Sequence, residues 1–463
     1  MQVLIKPMFI YNFHVHNCMF SKSESCVISL TVLITFVAFS QVLLTRNDIQ
    51  LGDTKLDINC KNDQESLRLS LYNNLDGVDR FIVKHLDADL EFKEDFEHLG
   101  DRMRLLKSLW RKNSATQSIA AEVMMDRVFP WLRDRSKILD QASSRDKGIV
   151  MTIGNNFVTT GMQTIRALQQ LNSALPVVVF YAGVFDLANE NVHKLVRLPG
   201  VELVNLCDLL NCTTLDMDKW DTKPFALLAS PFKETILMDA DAIFVQNPAI
   251  LFKDPGYILT GAVLFKDRTL FGGPSYTANW LKRVLPKPIS ERAQATRMYH
   301  GQTIHEVESG VVVMDKEKHI FGLLTICLLN MGTFKEEMHT WTHGDKESFW
   351  IGLEIIGEPY EIHPELPGSI GSIDRSVDER LCHGHLAHFD REGRLLWFND
   401  GLAQAKRDDD DWGLGLAASF DHYGREGEWN ELLCLSSVIL PIPEDLQETI
   451  QELQHINNLK RIH

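Results

Sequence analysis

The chain has 463 residues, enough for one large domain with accessory segments or for two ordinary domains. Hydrophobic residues make up 44% and charged residues 24%, a composition that argues against wholesale disorder. The net charge is −16 and there is no long run of Lys or Arg, which argues against nucleic acid as a main partner, because phosphate neutralisation dominates such binding.

The first element along the chain is an uncharged apolar segment, Cys26 to Leu44. As a helix it would span about 28 Å, close to the hydrocarbon thickness of a bilayer. Lysines before it favour a cytoplasmic tail at 1–25, a transmembrane signal anchor at 26–45 and a luminal remainder. A cleaved signal peptide is the alternative, since Ala38 and Ser40 form a small-residue cleavage site. Both interpretations predict entry into the secretory pathway.

Cysteine usage and a glycosylation sequon agree with that compartment. Six cysteines follow the apolar segment, and an even number suits an oxidising lumen, although buried free thiols are an equal alternative. The tripeptide Asn211 to Thr213 is an N-glycosylation sequon.

The rest of the chain divides by its pattern into a helical part and an α/β part. From 46 to 145 the sequence is charge-rich with helical periodicity, which predicts a spacer and a helical luminal subdomain. From 146 to 440, short apolar runs alternate with helical segments, which predicts an α/β domain with a mostly parallel central sheet. The segment 441–463 is predicted to form a C-terminal amphipathic helix.

The fourth apolar run, "TILMDADAIFV", carries Asp239 and Asp241 at its middle. Strand interiors are depleted in Asp, and a buried unpaired carboxylate is strongly destabilising. Residues two apart in a strand point to the same side, so we expect both carboxylates to reach one point. A divalent cation, Mn²⁺ or Mg²⁺, would resolve the charge problem by binding carboxylate and phosphate oxygens together. Aspartates that cap a loop are the alternative.

Five segments between Gly148 and Gly401 together resemble the fungal Golgi α-1,3-mannosyltransferases of glycosyltransferase family 71. They are "DTKPFALLASPFKETILMDADAIFVQNP", "LFKDRT", "ESGVVVMDKEKH", "GDKESFW" and "LAHFDREGRLLWFN". The resemblance implies a GT-A-like nucleotide-sugar-binding domain, GDP-mannose as donor, Mn²⁺ as cofactor and retention of the α-anomer.

The resemblance also implies a metal site. Asp239 and Asp241 would bind the metal that bridges the donor diphosphate, and His388 in "AHFD" would be the third ligand, with His385 as its alternate. A zinc hydrolase built on His383 and His385 is the lesser alternative, because on one strand His388 would face the other side.

Further roles follow from the same resemblance. Asp345 would orient the acceptor hydroxyl or the donor sugar, or it would serve as a helix N-cap. Glu308, the second candidate catalytic residue, would line the sugar pocket. Lys223 and Arg268 would contact phosphate or sugar, with structural ion pairing as the alternative. Three residues at the end of the first strand would approach the nucleotide, or would only form a turn: Gly154, Asn155 and Asn156.

The expected protein is therefore a single-pass type II Golgi membrane enzyme with its catalytic domain in the lumen. It would transfer α-mannose from GDP-mannose to a mannosylated acceptor on N- or O-linked glycans, by an α-1,3 linkage. A Golgi glycosyltransferase complex is a further candidate partner. The alternatives are a same-fold enzyme with another donor or linkage, and a non-catalytic luminal carbohydrate-binding protein.

Overall fold

The computed structural model describes residues 96–110, 125, 128–132, 138–139, 144–215, 217, 219–269, 273–374, 380–399, 414–417, 434–435, 440–442 and 444–459. The predicted tail, anchor and spacer, up to residue 95, lie outside the described residues. Within the described ranges, no helix has the length and apolar character needed to cross a membrane. Residues 96–103 and those from 130 onward belong to one compact unit, to which the site below belongs; the other described residues belong to a second.

The helices are α1 (Phe96–Trp110), α2 (Val158–Gln170), α3 (Asn189–Val196), α4 (Leu206–Leu209), α5 (Thr222–Ala229), α6 (Pro255–Thr260), α7 (Pro274–Val284), α8 (Glu291–Gln294), α9 (Lys316–Leu329), α10 (Gly332–Trp341), α11 (Lys346–Ile356) and α12 (Glu444–Leu459). The strands are β1 (Arg145–Thr152), β2 (Val177–Tyr181), β3 (Val201–Asn205), β4 (Phe232–Met238), β5 (Ile243–Phe244), β6 (Ala262–Lys266), β7 (Val307–Asp315), β8 (Glu361–Ile362), β9 (Gly368–Asp374), β10 (Arg380–Phe389), β11 (Leu395–Phe398), β12 (Leu414–Ala417), β13 (Cys434–Leu435) and β14 (Leu440–Pro441).

The central sheet has the strand order β3-β2-β1-β4-β7-β6-β8. Strands β3, β2, β1 and β4 are mutually parallel, whereas β7 is antiparallel to both of its neighbours. The predicted α/β domain with a mostly parallel sheet is thereby confirmed. Continuous apolar runs such as Ile236 to Met238 fit this sheet because helices cover both of its faces and bury every side chain of the run.

A second sheet is entirely antiparallel, with the order β14-β12-β9-β10-β11-β5 and β13 beside β10. Within it, β10 and β11 form a hairpin across a turn at Arg391 to Gly393. Trp397 packs against Phe244 and Phe265, which brings the hairpin onto the edge of the central-sheet core. The predicted C-terminal helix is present as α12.

One prediction about "TILMDADAIFV" is wrong. The run is not a single strand, because β4 ends at Met238 and β5 begins at Ile243 in the other sheet. Asp239 to Ala242 form a turn, in which Ala242 N donates to Asp239 O at 3.2 Å. The chain changes sheets here, so the two carboxylates leave the carboxyl end of β4 from a turn and not from one strand face. A turn at a sheet rim also spares both carboxylates full burial.

Among the cysteines whose side chains the structure describes, Cys207 and Cys212 are joined by a disulfide. Cys327 is a buried free thiol on α9, so both expectations for the cysteines hold at different places.

Candidate active site

A cleft of about 940 Å³ opens beside the turn that follows β4. Its size is at the upper end of the range of small-molecule sites. Five parts of the chain supply its charged walls: the β4 turn, the first turn of α5, the segment after β6, the start of β7 and the start of α11 with the residues that lead into it. Five of the residues predicted from sequence line this cleft together: Asp239, Lys223, Arg268, Glu308 and Asp345.

Lys223 links two carboxylates of the cleft, those of Asp239 and Asp345. Its Nζ lies 2.8 Å and 3.1 Å from the two carboxylate oxygens of Asp239, and 3.5 Å from Asp345 Oδ2. The same Nζ donates to Ser309 Oγ at 3.0 Å, and that hydroxyl donates to Asp345 Oδ1 at 3.3 Å. The lysine side chain is only 3% exposed, so its ammonium group interacts with these protein groups and hardly with solvent. Elements distant in sequence are therefore joined by one ammonium group.

Asp345 immediately precedes α11, but its side chain makes no capping hydrogen bond to that helix. The carboxylate points to Lys223 and Ser309 instead, so the N-cap alternative is wrong. Every residue of α11 is buried, which fixes the end of the helix that presents Asp345.

Glu308 lies on β7 next to Asp239. Its Oε1 accepts from Gly310 N at 2.9 Å and from Asn399 Nδ2 at 3.0 Å, while Gly310 O accepts from Asp239 N at 2.8 Å. A Cβ at Gly310 would lie 2.8 Å from Asn399 Oδ1, so only glycine allows this close approach. Asn399 follows β11, so the second sheet also contributes to the cleft.

A second ion-pair cluster lies on the same cleft. Asp267 is fully buried; its carboxylate accepts from Lys346 Nζ at 2.6 Å and lies 3.8 Å from Arg268 Nε. Two cations share one anion here, whereas in the first cluster two carboxylates share Lys223. The cleft therefore carries groups of both charges, and the two clusters meet where Asp345 is followed by Lys346.

Burial and charge perturb these groups in a consistent way. Burial raises the pKa of Asp345 to about 6, although Lys223 opposes the change. Burial alone would lower the pKa of Lys223, but Asp239 and Asp345 together raise it above its usual range. The two pKa values rise for different reasons: burial dominates at Asp345, whereas the surrounding carboxylates outweigh burial at Lys223. Burial and the nearby Asp267 also raise the pKa of Glu308.

Two buried polar atoms that line this cleft have no hydrogen-bond partner in the described structure, His305 Nδ1 and Asn399 Oδ1. Such atoms are uncommon in folded proteins, and each is destabilising unless something polar meets it. Their presence in the cleft is consistent with a site for a polar ligand.

The predicted nucleotide-contacting residues lie elsewhere. Gly154, Asn155 and Asn156 follow β1 and are not among the residues that line the cleft where the structure describes it. Asn155 Oδ1 accepts from Ala188 N at 2.8 Å and from Asn191 Nδ2 at 3.0 Å, which ties this turn to the segment after β2. Their contact with a nucleotide stays a prediction.

His388 is placed behind the cleft. Its ring is 2% exposed, stacks on Trp397 at a centroid distance of 4.1 Å and meets the edge of Phe265 at 5.3 Å. Burial lowers its pKa to about 3, so the ring is neutral. Its Nε2 has no hydrogen-bond partner in the described part of the chain.

The predicted metal site fits this structure in part. Asp239 supplies carboxylate oxygens at the cleft, and Asp241 follows in the same turn, half-buried; such donors suit Mn²⁺ or Mg²⁺. As the described side chains stand, no group of three His, Cys, Asp or Glu residues converges on one point. Ligation by His388, or by its alternate His385, stays a prediction, as does the manganese requirement.

Several site residues escaped sequence reasoning. Asp267 and Lys346 lie within the quoted segments "LFKDRT" and "GDKESFW". The family resemblance assigns site roles to their neighbours Arg268 and Asp345 and none to them. Asn399 carries no local signal, because its contact with Glu308 exists only once the two sheets pack together.

Comparison with known proteins identifies the family to which the region with most of this cleft belongs. Residues 146–390 match the family model Mannosyl_trans3, described as "Mannosyltransferase putative". Alpha-1,3-mannosyltransferase MNT3 of Saccharomyces cerevisiae is 27% identical over 327 residues, covering 62% of this chain and 50% of that protein. Alpha-1,3-mannosyltransferase MNN1 of the same yeast is 26% identical over 328 residues, covering 58% and 42%. The chain spans about half the length of the curated relatives it matches.

Solved structures give a weaker similarity. Mouse xyloside xylosyltransferase 1 aligns with a TM-score of 0.28 at 14% identity, over 47% of this chain and 85% of that chain.

Proposed function

The chain belongs to this mannosyltransferase family, and from that premise we propose that it is an α-1,3-mannosyltransferase. In this proposal it transfers α-mannose from GDP-mannose to mannosyl acceptors on N- or O-linked glycans, with retention of the α-anomer. The observation that carries the proposal is the cleft within the matched region, where Asp239, Lys223 and Asp345 meet at ion-pair distances.

The two charge clusters suit the two halves of a glycosyl transfer. Lys346 and Arg268 provide positive charge for the diphosphate that leaves the donor, and this type of stabilisation is the largest catalytic contribution in many enzymes. Asp345 and Glu308 are hydrogen-bond acceptors in the same cleft, suited to hold sugar hydroxyl groups. Asp345 is assigned to orient the acceptor hydroxyl or the donor sugar.

Manganese is proposed as the cofactor, held by Asp239 and Asp241 with a third ligand from His388 or His385. When bound, it would supply Lewis-acid stabilisation of the leaving diphosphate. Lys223 would then hold the Asp345 carboxylate in its present position, because its ammonium group forms ion pairs with both Asp345 and Asp239.

The proposed location is the Golgi membrane, with the region from 46 onward in the lumen. A disulfide between Cys207 and Cys212 supports an oxidising compartment, since such bonds are rare in the cytosol.

The experiment measures nucleoside diphosphate release by the purified chain from GDP-mannose, UDP-glucose, UDP-galactose and UDP-N-acetylglucosamine, with and without α-mannobiose. We expect GDP-mannose to be the one donor of the four that releases its nucleoside diphosphate. This release should be stimulated by the acceptor and abolished by EDTA. Release from a UDP-sugar would replace the donor assignment. Binding of oligosaccharide without turnover of any donor would favour a carbohydrate-binding protein.

A further inference from the structure

Besides its charged residues, the cleft has a second group of lining side chains, which are aromatic or carry hydroxyl groups. They include Trp220, Tyr276, Trp341, Thr340 and Thr342, which we refer to as the aromatic wall. Trp220 remains 43% exposed and Tyr276 70% exposed. Exposed aromatic rings in a concave site are typical of binding surfaces, where they contribute large contact area with little loss of side-chain entropy.

The position of Trp220 is fixed next to the charged centre. It lies in the 3₁₀ turn before α5, three residues before Lys223. Its ring lies 5.2 Å from the ring of His343, centroid to centroid, and a Cβ at Gly344 would come within 3.4 Å of it. Gly344 has a positive φ of 64° and directly precedes Asp345. The indole therefore packs against the segment that positions Asp345.

The chemistry of this aromatic wall matches a neutral saccharide. Sugar rings present C–H groups on one face and hydroxyl groups at the rim; aromatic faces suit the former and threonine hydroxyls the latter. Because Trp220 packs against the segment that positions Asp345, the wall lies beside the residue that is assigned to orient the acceptor hydroxyl.

We propose that Trp220 and Tyr276 form the platform on which a neutral oligosaccharide acceptor stacks, so that one of its hydroxyl groups faces Asp345. This inference rests on the proposed mannosyl transfer and extends it from the reaction to the residues that hold the acceptor. It assigns acceptor affinity to the aromatic residues and leaves donor affinity to the charged clusters.

The test measures oligosaccharide binding directly, without donor, by saturation-transfer NMR titration with α-linked mannobiose and mannotriose. We expect Trp220→Ala to weaken binding about tenfold, the effect of losing roughly 1.4 kcal/mol of aromatic contact. Trp220→Phe keeps a ring and should recover part of the affinity. Tyr276→Ala should also weaken binding, and because that side chain is mostly exposed its loss leaves the fold intact. Phe185→Ala is the matched control, an exposed aromatic outside the cleft.

Binding by both alanine variants at wild-type affinity would overturn the platform, and so would a wild-type protein that binds neither oligosaccharide. Because no turnover is measured, the outcome is separate from that of the donor experiment. Turnover of GDP-mannose with unaltered acceptor binding in the variants would reject the platform alone. Loss of binding in the variants, with no turnover of any donor by the wild type, would reject the enzyme and keep the saccharide site.

Discussion

The buried negative charge of Asp345 should destabilise the folded protein. Burial raises the pKa of its carboxyl from the usual 3.8 to about 6, even with Lys223 nearby. A carboxyl that holds its proton more tightly in the folded state loses stability as pH rises from about 4 to about 6, and the full loss persists above that range. Because each tenfold change in a protonation constant corresponds to about 1.4 kcal/mol, the charge on Asp345 destabilises the fold by roughly 3 kcal/mol at pH 8.

Asp345→Asn removes this charge and keeps an oxygen that can accept from Ser309 Oγ. We expect the variant to be more stable than the wild type by about 3 kcal/mol at pH 8, with the difference shrinking toward zero near pH 4. Mannosyl transfer should be lost in the same variant. Urea unfolding of both proteins at several pH values between 4 and 8, analysed by linear extrapolation, measures the difference.

Asp254 provides a control of opposite sign. Burial alone would raise its pKa, but hydrogen bonds from Arg391, at 2.7 Å and 2.9 Å, lower it. Asp254→Asn should therefore destabilise the protein at pH 8. If Asp345→Asn destabilised the protein at pH 8 as Asp254→Asn does, Asp345 would be an ordinary structural ion-pair partner and the reasoning above would be refuted.

Three further variants probe the clusters. Lys223→Met leaves two carboxylates without their shared cation, so unfolding measurements at pH 8 should show a loss of about 3–5 kcal/mol, and a smaller loss would mean that water replaces the ammonium group. Lys346→Met leaves Asp267 buried without its closest cation, and the loss of stability should be larger at pH 8 than at pH 4, where the carboxyl can be protonated; an equal loss would exclude this charge effect. Gly310→Ala places a methyl group 2.8 Å from Asn399 Oδ1. We expect it to lower the free energy of unfolding by about 1–3 kcal/mol and to reduce mannosyl transfer at least tenfold. Unaltered transfer would show that this contact is dispensable.

The α/β domain was predictable because helices on both faces of the central sheet demand continuous apolar runs, and β1, β2 and β4 have them. The reversed direction of β7 was not, since an apolar run does not encode the direction in which a strand pairs. The same limit explains the error at Asp239. Apolar residues on both sides of the aspartates look like one strand, whereas the chain leaves one sheet there and enters another.

The site was predictable where its residues lie in segments shared with the family, as for Lys223 and Asp345. The role of Lys223 as a bridge between two carboxylates was not, because it depends on α5, β4 and α11 converging in space. Trp220 and Asn399 were missed for the same reason. A single exposed tryptophan or a single asparagine after a strand carries no periodic signal, and its meaning appears only in the packed cleft.

Mannose transfer should depend on Asp239, and a comparison of two proteins measures this dependence. The purified chain and its Asp239→Ala variant are incubated with GDP-mannose, α-mannobiose and Mn²⁺, and the product linkage is determined by NMR. We expect a new α-1,3-linked mannose from the wild type and none from the variant. Equal transfer by the two proteins would show that Asp239 is not part of the centre that transfers mannose.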